Sequence, residues 1–347
     1  MKSLKEIKFF GGRVMKTGIA SSLTAWICLS LDLPVMFAVI TAIVTTEPTA
    51  ADSIRKGLIR FPAAAIGAAL AMGFSFLFDN TPITYGLAAM FTILICHRLH
   101  LDAGILVATL TAVAMIPGTT DHYFEAFALR LGTTSIGIVV STLVNFFIMP
   151  PKFSSMLTNK VDVLYEEAGQ LLKAVCDQIV TEEKLFTGSR KYQKLSREFE
   201  RTFLLKQYQR EEWKYRRHNI HDIRSFSFSE KKLTYLQKIL YHIGNLQFVK
   251  LEEEQLTEEE KLFYLETAQS ITDILRDPDH RVSVKHFTLI QRLDDEFRKA
   301  KQETSLSTES RYHHQFSGKT VLTYELLSLH DVIEDLAYIC KREDTYA

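Results

Sequence analysis

Apolar runs separated by short polar segments dominate the first 150 residues of the chain. The runs lie at residues 17–31, 35–46, 61–78, 83–96, 103–116 and 131–149. A run of roughly 20 apolar residues is typical of a membrane-spanning helix. Several of these runs have only about 14 residues, a length that also suits buried helices of a large soluble protein. Because flanking Thr, Tyr, Trp, Lys and Arg can extend a short run to the interface, the pattern predicts six spans.

Charge is distributed unevenly between the two halves of the chain, although its formal net charge is zero. Residues 17–151 contain 12 charged residues, whereas residues 152–347 contain 64. This contrast predicts a membrane domain over residues 1–151 and a water-exposed domain over residues 152–347. The four cysteines have no spacing typical of a disulfide framework or a zinc site, which suits a reducing cytoplasm.

The loops between the runs alternate in charge. Lys and Arg occur before the first run, at residues 55–60, at Arg98 and after the sixth run, whereas the loops near Asp32, Asp79 and Asp121 have none. Cytoplasmic loops carry the excess of positive charge in membrane proteins. We therefore expect a multi-pass protein of the plasma membrane with both termini in the cytoplasm.

A segment from the first half of this region returns 70 residues later. Arg60-Phe-Pro-Ala-Ala-Ala-Ile-Gly67 aligns without a gap on Arg130-Leu-Gly-Thr-Thr-Ser-Ile-Gly137, and the same offset pairs Asp32 with Asp102. The match predicts an internal duplication of residues 17–76 and 87–146. Because each copy has three spans, the second copy would cross the bilayer in the opposite sense, as an inverted repeat.

Helix-breaking residues occupy matching places in the two copies. Glu47-Pro48 follows the second run and Pro117-Gly118 follows the fifth. Interrupted helices at corresponding positions of inverted repeats point to a substrate site. Together with one arginine at the head of an apolar run in each copy, Arg60 and Arg130, they predict a path for an anion.

Each of these features also has a simpler interpretation. Both arginines can reach the headgroups, and both prolines can be ordinary turn residues. Glu47 can pair with Arg55 or Arg60, or take part in proton coupling. His97 and His100 can share a helix face and titrate near neutrality, or lie in a solvated loop.

The second half has the apolar periodicity of helices and no alternating strand pattern. After a first helix that begins near residue 161, the spacing predicts helices at about 190–217, 230–254, 258–276, 283–303 and 319–342. Thr257 and Glu260 have the spacing of a capping box, and Asp277-Pro278 is a stop signal. The pattern predicts an all-α protein in which an antiparallel helical bundle follows the membrane domain.

Functional motifs are sparse in this half. The run from Trp213 to His218 mixes aromatic and basic residues, but the adjacent Glu211-Glu212 favours a solvated helix end over a nucleic-acid surface. The histidines lack the Cys or carboxylate partners of a metal site. No nucleophile elbow, phosphate-binding loop or dinucleotide fingerprint occurs, so we expect neither an enzyme nor a cofactor.

The residues resemble a known family. The stretch from Leu129 through Arg130 to Ile138, continuing through Asn145 to Pro151, resembles the end of the membrane domain of the bacterial aromatic acid exporter family. Residues 49–67 resemble the inner-loop motif of the related fusaric-acid-resistance proteins, although Pro62 stands where relatives often have glycine.

The resemblance implies a six-span module that moves organic anions as an oligomer, commonly a dimer. It assigns Arg60, Arg130 and Asn145 to the substrate path. We therefore predict an exporter of organic anions, notably aromatic carboxylates, embedded in the lipid bilayer. The alternative is a membrane scaffold or sensor that does not transport and whose cytoplasmic bundle recruits a partner.

Overall fold

The computed structural model describes residues 12–116, 123–148, 153–181, 187–214, 219–251, 256–306 and 317–344. Within these ranges the regular elements are helices and no strand occurs, which confirms the predicted all-α class. The helices are α1 (Gly12–Ser30), α2 (Val35–Thr45), α3 (Ala50–Phe78), α4 (Pro82–Arg98), α5 (Ile105–Met115), α6 (Tyr123–Phe147), α7 (Phe153–Thr181), α8 (Thr187–Glu212), α9 (Ile220–Leu246), α10 (Glu258–Arg276), α11 (Val284–Leu306) and α12 (Gly318–Asp344), with a short 3-10 helix at Asp102–Gly104.

The helix boundaries follow local signals. Thr49 caps α3 by accepting a hydrogen bond from the Asp52 backbone N–H at 3.0 Å. Pro82 occupies the first position of α4, where its missing N–H costs no helical hydrogen bond. Asp79 ends α3 with φ of 52° and ψ of −159°, a backbone conformation that residues other than glycine rarely adopt.

Several helices begin earlier than predicted, and α6 and α7 do so by about eight residues, at Tyr123 and Phe153. Helix α3 begins at Ala50 and continues through Pro62, so the charged segment before residue 61 is part of the helix. Helix α9 begins at Ile220, ten residues earlier than predicted, because Asn219 caps it by accepting a hydrogen bond from the His221 backbone N–H. The predicted capping box of α10 is confirmed, with hydrogen bonds in both directions between Thr257 and Glu260.

The chain divides into two compact units. The first unit contains the described residues before Phe153 together with residues 208–214, which comprise the end of α8 and the two residues after it. The second contains the remaining described residues, and therefore α7, most of α8, and α9 to α12.

The principal helix contacts in the first unit have a twofold pattern. Helix α1 packs on α2 as α4 packs on α5, α2 packs on α6 as α5 packs on α3, and α1 packs on α6 as α4 packs on α3. Helices α3 and α6 pack on each other. These contacts are unchanged when α1, α2 and α3 are exchanged for α4, α5 and α6.

Two glycines bring helix backbones into direct contact at positions related by this exchange. A Cβ atom on Gly67 of α3 would overlap the Ala108 carbonyl oxygen of α5. A Cβ atom on Gly137 of α6 would overlap the Ala38 carbonyl oxygen of α2 and would lie 2.9 Å from the Thr41 Cβ. Small residues allow this separation between helices when the attraction is mainly van der Waals packing.

The first unit buries small residues and exposes large apolar ones. Its buried side chains include Ala20, Ala38, Ala63, Ala64, Ala68, Ala71, Ala88, Ala108 and Ala112, whereas Trp26, Leu29, Leu58, Phe76, Leu77, Ile83, Leu94 and Leu106 are exposed. Within the described residues, α3 and residues 124–147 of α6 are long and apolar enough to cross a membrane, and α2 and α5 are apolar but shorter.

The second unit has a conventional core of large side chains. Helix α7 packs on α9 and α10, and α12 packs on α9, α10 and α11. The largest fully buried side chains include Tyr165, Leu172, Leu236, Ile243, Tyr264 and Ile271. The Thr272 hydroxyl of α10 donates a hydrogen bond to the Gly169 carbonyl of α7 at 3.0 Å, which fixes the register of these two helices.

A chain of buried polar side chains links three helices of this unit. His286 Nδ1 lies 3.0 Å from the Ser270 hydroxyl, and His286 Nε2 lies 3.1 Å from His330 Nδ1. The outer ring nitrogen of His330 lies 3.7 Å from the Glu334 carboxylate. Burial, together with the neighbouring His330, lowers the pKa of His286 to about 4. His286 is therefore neutral in the folded protein at pH 7.

We predict that Gly137→Ala destabilises the first unit by about 1–3 kcal/mol, because the added methyl group forces α6 away from α2. Thermal unfolding of the full chain in detergent measures this loss. Gly132→Ala is the matched control on the same helix, since a Cβ atom there meets nothing within 4 Å. The control should unfold at the wild-type temperature or above it, and an equal loss in both variants would contradict the packing argument.

We also predict that the second unit loses stability as the pH falls from about 6.5 toward 4. An unfolded histidine takes up a proton below its ordinary pKa of about 6.5, whereas folded His286 resists protonation down to about 4. The stabilisation is therefore fully present above pH 6.5. Hydrogen exchange of α11 amides, corrected for intrinsic rates, should show a shallower pH dependence in His286→Gln. The exposed His221→Gln should retain the wild-type slope, and an unchanged slope in His286→Gln would rule out this source of pH dependence.

Candidate functional site

Asn145 is the centre of a buried polar network in the first unit. Its side chain is 1% exposed. The amide nitrogen donates to the carbonyls of Glu47 at 3.0 Å and Thr49 at 2.9 Å, and lies 2.8 Å from the Ser53 hydroxyl. The amide oxygen accepts a hydrogen bond from Lys16 Nζ at 2.8 Å. One side chain of α6 thus fixes α1, the connection between α2 and α3, and the first turn of α3.

Arg60 has a carboxylate partner. Arg60 is 7% exposed. Its Nη2 lies 2.6 Å from Glu47 Oε1, and its Nε donates a hydrogen bond to the Ala103 carbonyl at 3.2 Å. Lys56 lies 3.0 Å from the other Glu47 oxygen and 2.9 Å from Asp52. Of the partners expected for Glu47, Arg60 is the one that the structure brings to it.

Of the predicted helix-breaking residues, Pro48 lies within the described part of the chain. Pro48 lies in the connection between α2 and α3, one residue from each of the two carbonyls that Asn145 binds. Pro117 and Gly118 lie outside the described residues. The interruption after the second run is therefore ordered by side-chain hydrogen bonds from α6.

The end of α8 supplies a contact that the sequence did not predict. The Ala50 backbone N–H, at the start of α3, donates to Glu212 Oε1 at 2.6 Å, and the Thr49 hydroxyl lies 3.4 Å from Glu211 Oε2. Glu212 is 4% exposed, so the expectation of a solvated helix end is wrong for this residue. A carboxylate at a helix amino terminus is favoured by the free N–H groups and the helix dipole.

Arg130 is buried without a carboxylate partner among the described residues. The residue is 7% exposed, and its Nη2 donates a hydrogen bond to the Thr111 hydroxyl at 2.8 Å. The atoms Nε and Nη1 are buried and have no hydrogen-bond partner. The Phe37 ring covers one face of the guanidinium, with its centroid 3.8 Å from Cζ. An unsatisfied buried donor costs about 1–3 kcal/mol and more when it is charged.

A cavity of about 150 Å³ lies at this guanidinium. Its lining consists of Pro34, Phe37, Ala114, Met115, Ala126, Leu129, Arg130 and Thr133. Only the last two contribute polar side chains. Nη2 has a second N–H besides the one directed at Thr111, so a carboxylate can pair with Nη2 together with either Nε or Nη1. The site therefore has the chemistry to hold an anion with an apolar body.

The remaining candidate residues do not form a site. His97 Nδ1 lies 2.9 Å from Asp102 Oδ1, and both side chains are exposed. His97 belongs to the last turn of α4 and not to a loop, whereas His100 lies in the turn that follows; both are solvated as expected. In the described part of the chain no group of three His, Cys, Asp or Glu residues could hold a metal ion.

Comparison with known proteins finds relatives over nearly the whole chain. Residues 8–148 match the family model described as aromatic acid exporter family member 1. A UPF0421 protein of Bacillus cereus strain ATCC 10987 is 43% identical over 344 residues, which are 99% of this chain and 97% of that protein. A UPF0421 protein of Halalkalibacterium halodurans is 44% identical over 94% of this chain and 89% of that protein. A UPF0421 protein of Staphylococcus saprophyticus is 36% identical over 82% of this chain and 88% of that protein.

We predict that Asn145→Leu destabilises the first unit by about 2–5 kcal/mol, because it leaves the buried Lys16 ammonium and two backbone carbonyls without their amide partner. The stability of Asn145→Asp should lie between those of Asn145→Leu and the wild type. The aspartate keeps the oxygen that accepts from Lys16 but loses the N–H donors to the two backbone carbonyls. Denaturation of the full chain in mixed micelles provides the measurement. Equal stability of Asn145→Leu and wild type would show that the network does not hold α1, α3 and α6 together.

Proposed function

The chain belongs to the UPF0421 protein family, with an aromatic acid exporter family domain at residues 8–148, and on that premise we propose that it transports organic anions across the plasma membrane. The resemblance of the amino-terminal half to the aromatic acid exporter family is thereby confirmed. The proposed substrates are carboxylates with an apolar, typically aromatic, body. No catalytic role is proposed, and the anion moves without chemical change.

The surface of the first unit supports a position within a bilayer. Large apolar side chains are exposed on its helices, whereas alanine, glycine and threonine fill the interior. Soluble proteins rarely expose apolar surface on this scale, because contact with water disfavours it. Helices in lipid gain little from burying large side chains, and small residues let them pack closely. We therefore assign the apolar outer surface to lipid.

The twofold pattern of helix contacts supports two repeats of three helices. In this proposal all six helices cross the bilayer, α3 and α6 by their own length and α1, α2, α4 and α5 with help from interfacial residues. Non-helical backbone at membrane depth is tolerated where it is buried in protein or lines a cavity. The hydrogen bonds from Asn145 to the carbonyls of Glu47 and Thr49 meet this requirement for the connection after α2.

The observation that carries the proposal is the guanidinium of Arg130. A cation buried in an apolar unit without a counter-charge is costly, and such residues in membrane proteins mark the routes of ions and substrates. The adjoining cavity and the two unused nitrogens give an anion both space and hydrogen-bond donors. In the conformation of this structure, we assign to the ion pair between Arg60 and Glu47 the role of closing the anion route. We further propose that the protein works as an oligomer, with a dimer favoured. The second unit is proposed to lie in the cytoplasm.

The test is benzoate efflux from proteoliposomes that contain the purified full chain. We expect Arg130→Gln to reduce the initial rate at least tenfold, because the variant removes the only cation at the described cavity. Arg98→Gln is the matched control, since Arg98 is an exposed arginine at the end of α4, and it should retain the wild-type rate.

Hydrogen exchange distinguishes loss of the site from loss of the fold. Arg130→Gln should keep the wild-type protection pattern in α2, α5 and α6. A folded Arg130→Gln variant with wild-type flux would refute the role of this arginine. Absence of flux for any carboxylate in the wild type would refute the transport function itself.

A further inference from the structure

The two arginines related by the 70-residue offset have different surroundings. Arg60 is compensated by Glu47 at 2.6 Å. The position that matches Glu47 in the second copy is Pro117, which has no charge. Within the described ranges, Arg130 makes a hydrogen bond to a hydroxyl group and no ion pair. Of these two buried guanidinium groups, only that of Arg130 therefore has no carboxylate partner in the described part of the chain.

The space beside the two arginines also differs. Gly104 packs so closely on α3 that an added Cβ atom would overlap the Ala63 side chain and lie 3.3 Å from the Arg60 Cα. The matching position near Arg130 is Pro34, which lines the cavity. The duplicated fold thus leaves room for a ligand at Arg130 and closes the equivalent space at Arg60.

Phe37 limits the shape of the open site. Its ring covers one face of the Arg130 guanidinium and also forms a wall of the cavity. An anion must therefore approach the edge of the guanidinium, where the N–H groups point. The residue 70 positions later is the smaller Val107, which is buried on α5. The aromatic side chain is a feature of the Arg130 site alone.

The volume and polarity of the cavity restrict the ligand. A dry apolar cavity of roughly 150 Å³ holds a benzene-sized molecule in another protein. Apart from Arg130 and Thr133, the lining offers nothing to a second charged group. Burying a second carboxylate without a partner is strongly unfavourable.

We propose that Phe37 and Arg130 form one binding site per chain for a monocarboxylate with a single compact ring, and that Phe37 determines the size of the ring. Arg130 neutralises the carboxylate, and the apolar lining surrounds the ring. Dicarboxylates are disfavoured by their second charge, and two-ring carboxylates are disfavoured by their volume. The inference deepens the proposed function and rests on it for the route by which the ligand enters.

The experiment is titration calorimetry of the full chain in detergent with benzoate, cyclohexanecarboxylate, 2-naphthoate and phthalate. We expect one benzoate per chain, similar binding of cyclohexanecarboxylate, and at least tenfold weaker binding of 2-naphthoate and phthalate. Phe37→Ala should reverse the preference between benzoate and 2-naphthoate, because it enlarges the cavity. Arg130→Gln should abolish binding of every probe.

Two further variants keep the result interpretable. Phe37→Leu, a smaller change in volume, should shift the ratio of the two affinities in the same direction if Phe37→Ala fails to fold. Phe124→Ala is the control, since Phe124 is an exposed aromatic residue on α6 that does not line the cavity, and it should leave the ratio unchanged.

Several outcomes would overturn the inference. These are equal affinity for benzoate and phthalate, an affinity ratio that does not change in folded Phe37 variants, benzoate binding by Arg130→Gln, and no binding of any probe by the wild type. Failure of the proposed function gives a different result. If the wild-type chain binds benzoate with the expected selectivity but proteoliposomes show no benzoate efflux, the binding site is supported and the proposed transport function is refuted.

Discussion

A charge buried among apolar helices needs a partner inside the protein, and this constraint organises the first unit. Lys16 is directed at the Asn145 amide, and Arg60 at the Glu47 carboxylate. Both partners also hold the backbone between α2 and α3, so the same contacts that satisfy the charges fix the positions of four helices. Arg130 departs from this rule because a hydroxyl group is its only hydrogen-bonding partner in the described residues. The exception coincides with a cavity, and this coincidence is the basis of the proposed anion site.

Close packing provides the second constraint. Gly67 and Gly137 allow α3 to touch α5 and α6 to touch α2, and both contacts are made to alanine carbonyls 70 residues apart, at Ala38 and Ala108. The duplicated sequence thus produces the same backbone contact twice. The two copies diverge at the positions of Glu47, Pro34 and Phe37, where charge or side-chain size is not repeated. Symmetry in the backbone and asymmetry in a few side chains together pair Arg60 with Glu47 and leave Arg130 beside a cavity with no carboxylate partner among the described residues.

The second unit is stabilised in a different way. Large apolar side chains fill its interior, and ion pairs such as Lys319 with Glu260 at 2.6 Å lie at its surface. This ion pair and the capping hydrogen bonds from Thr257 lower the pKa of Glu260 to about 2. Burial of large apolar side chains dominates in the second unit, whereas small-residue packing and internal hydrogen bonds dominate in the first unit. One chain therefore combines two sets of rules for stability.

The family resemblance pointed to Asn145. The sequence by itself determined the helical class, the bounds of α2, α4, α5, α10, α11 and α12 to within a few residues, the capping box at Thr257, and the choice of Arg60 and Arg130 as residues of interest. These features depend on local spacing or on residue types that are costly in apolar surroundings, so a single sequence is enough to find them. Only the tertiary structure decided that Glu47 compensates Arg60, that Glu212 is buried at the start of α3, and that Phe37 covers Arg130. Glu212 lies 162 residues from Ala50, and contacts over such separations leave no periodic signal in the chain. Whether a buried charge is paired depends on what folding brings to it, and therefore the difference between the two arginines was visible only in three dimensions.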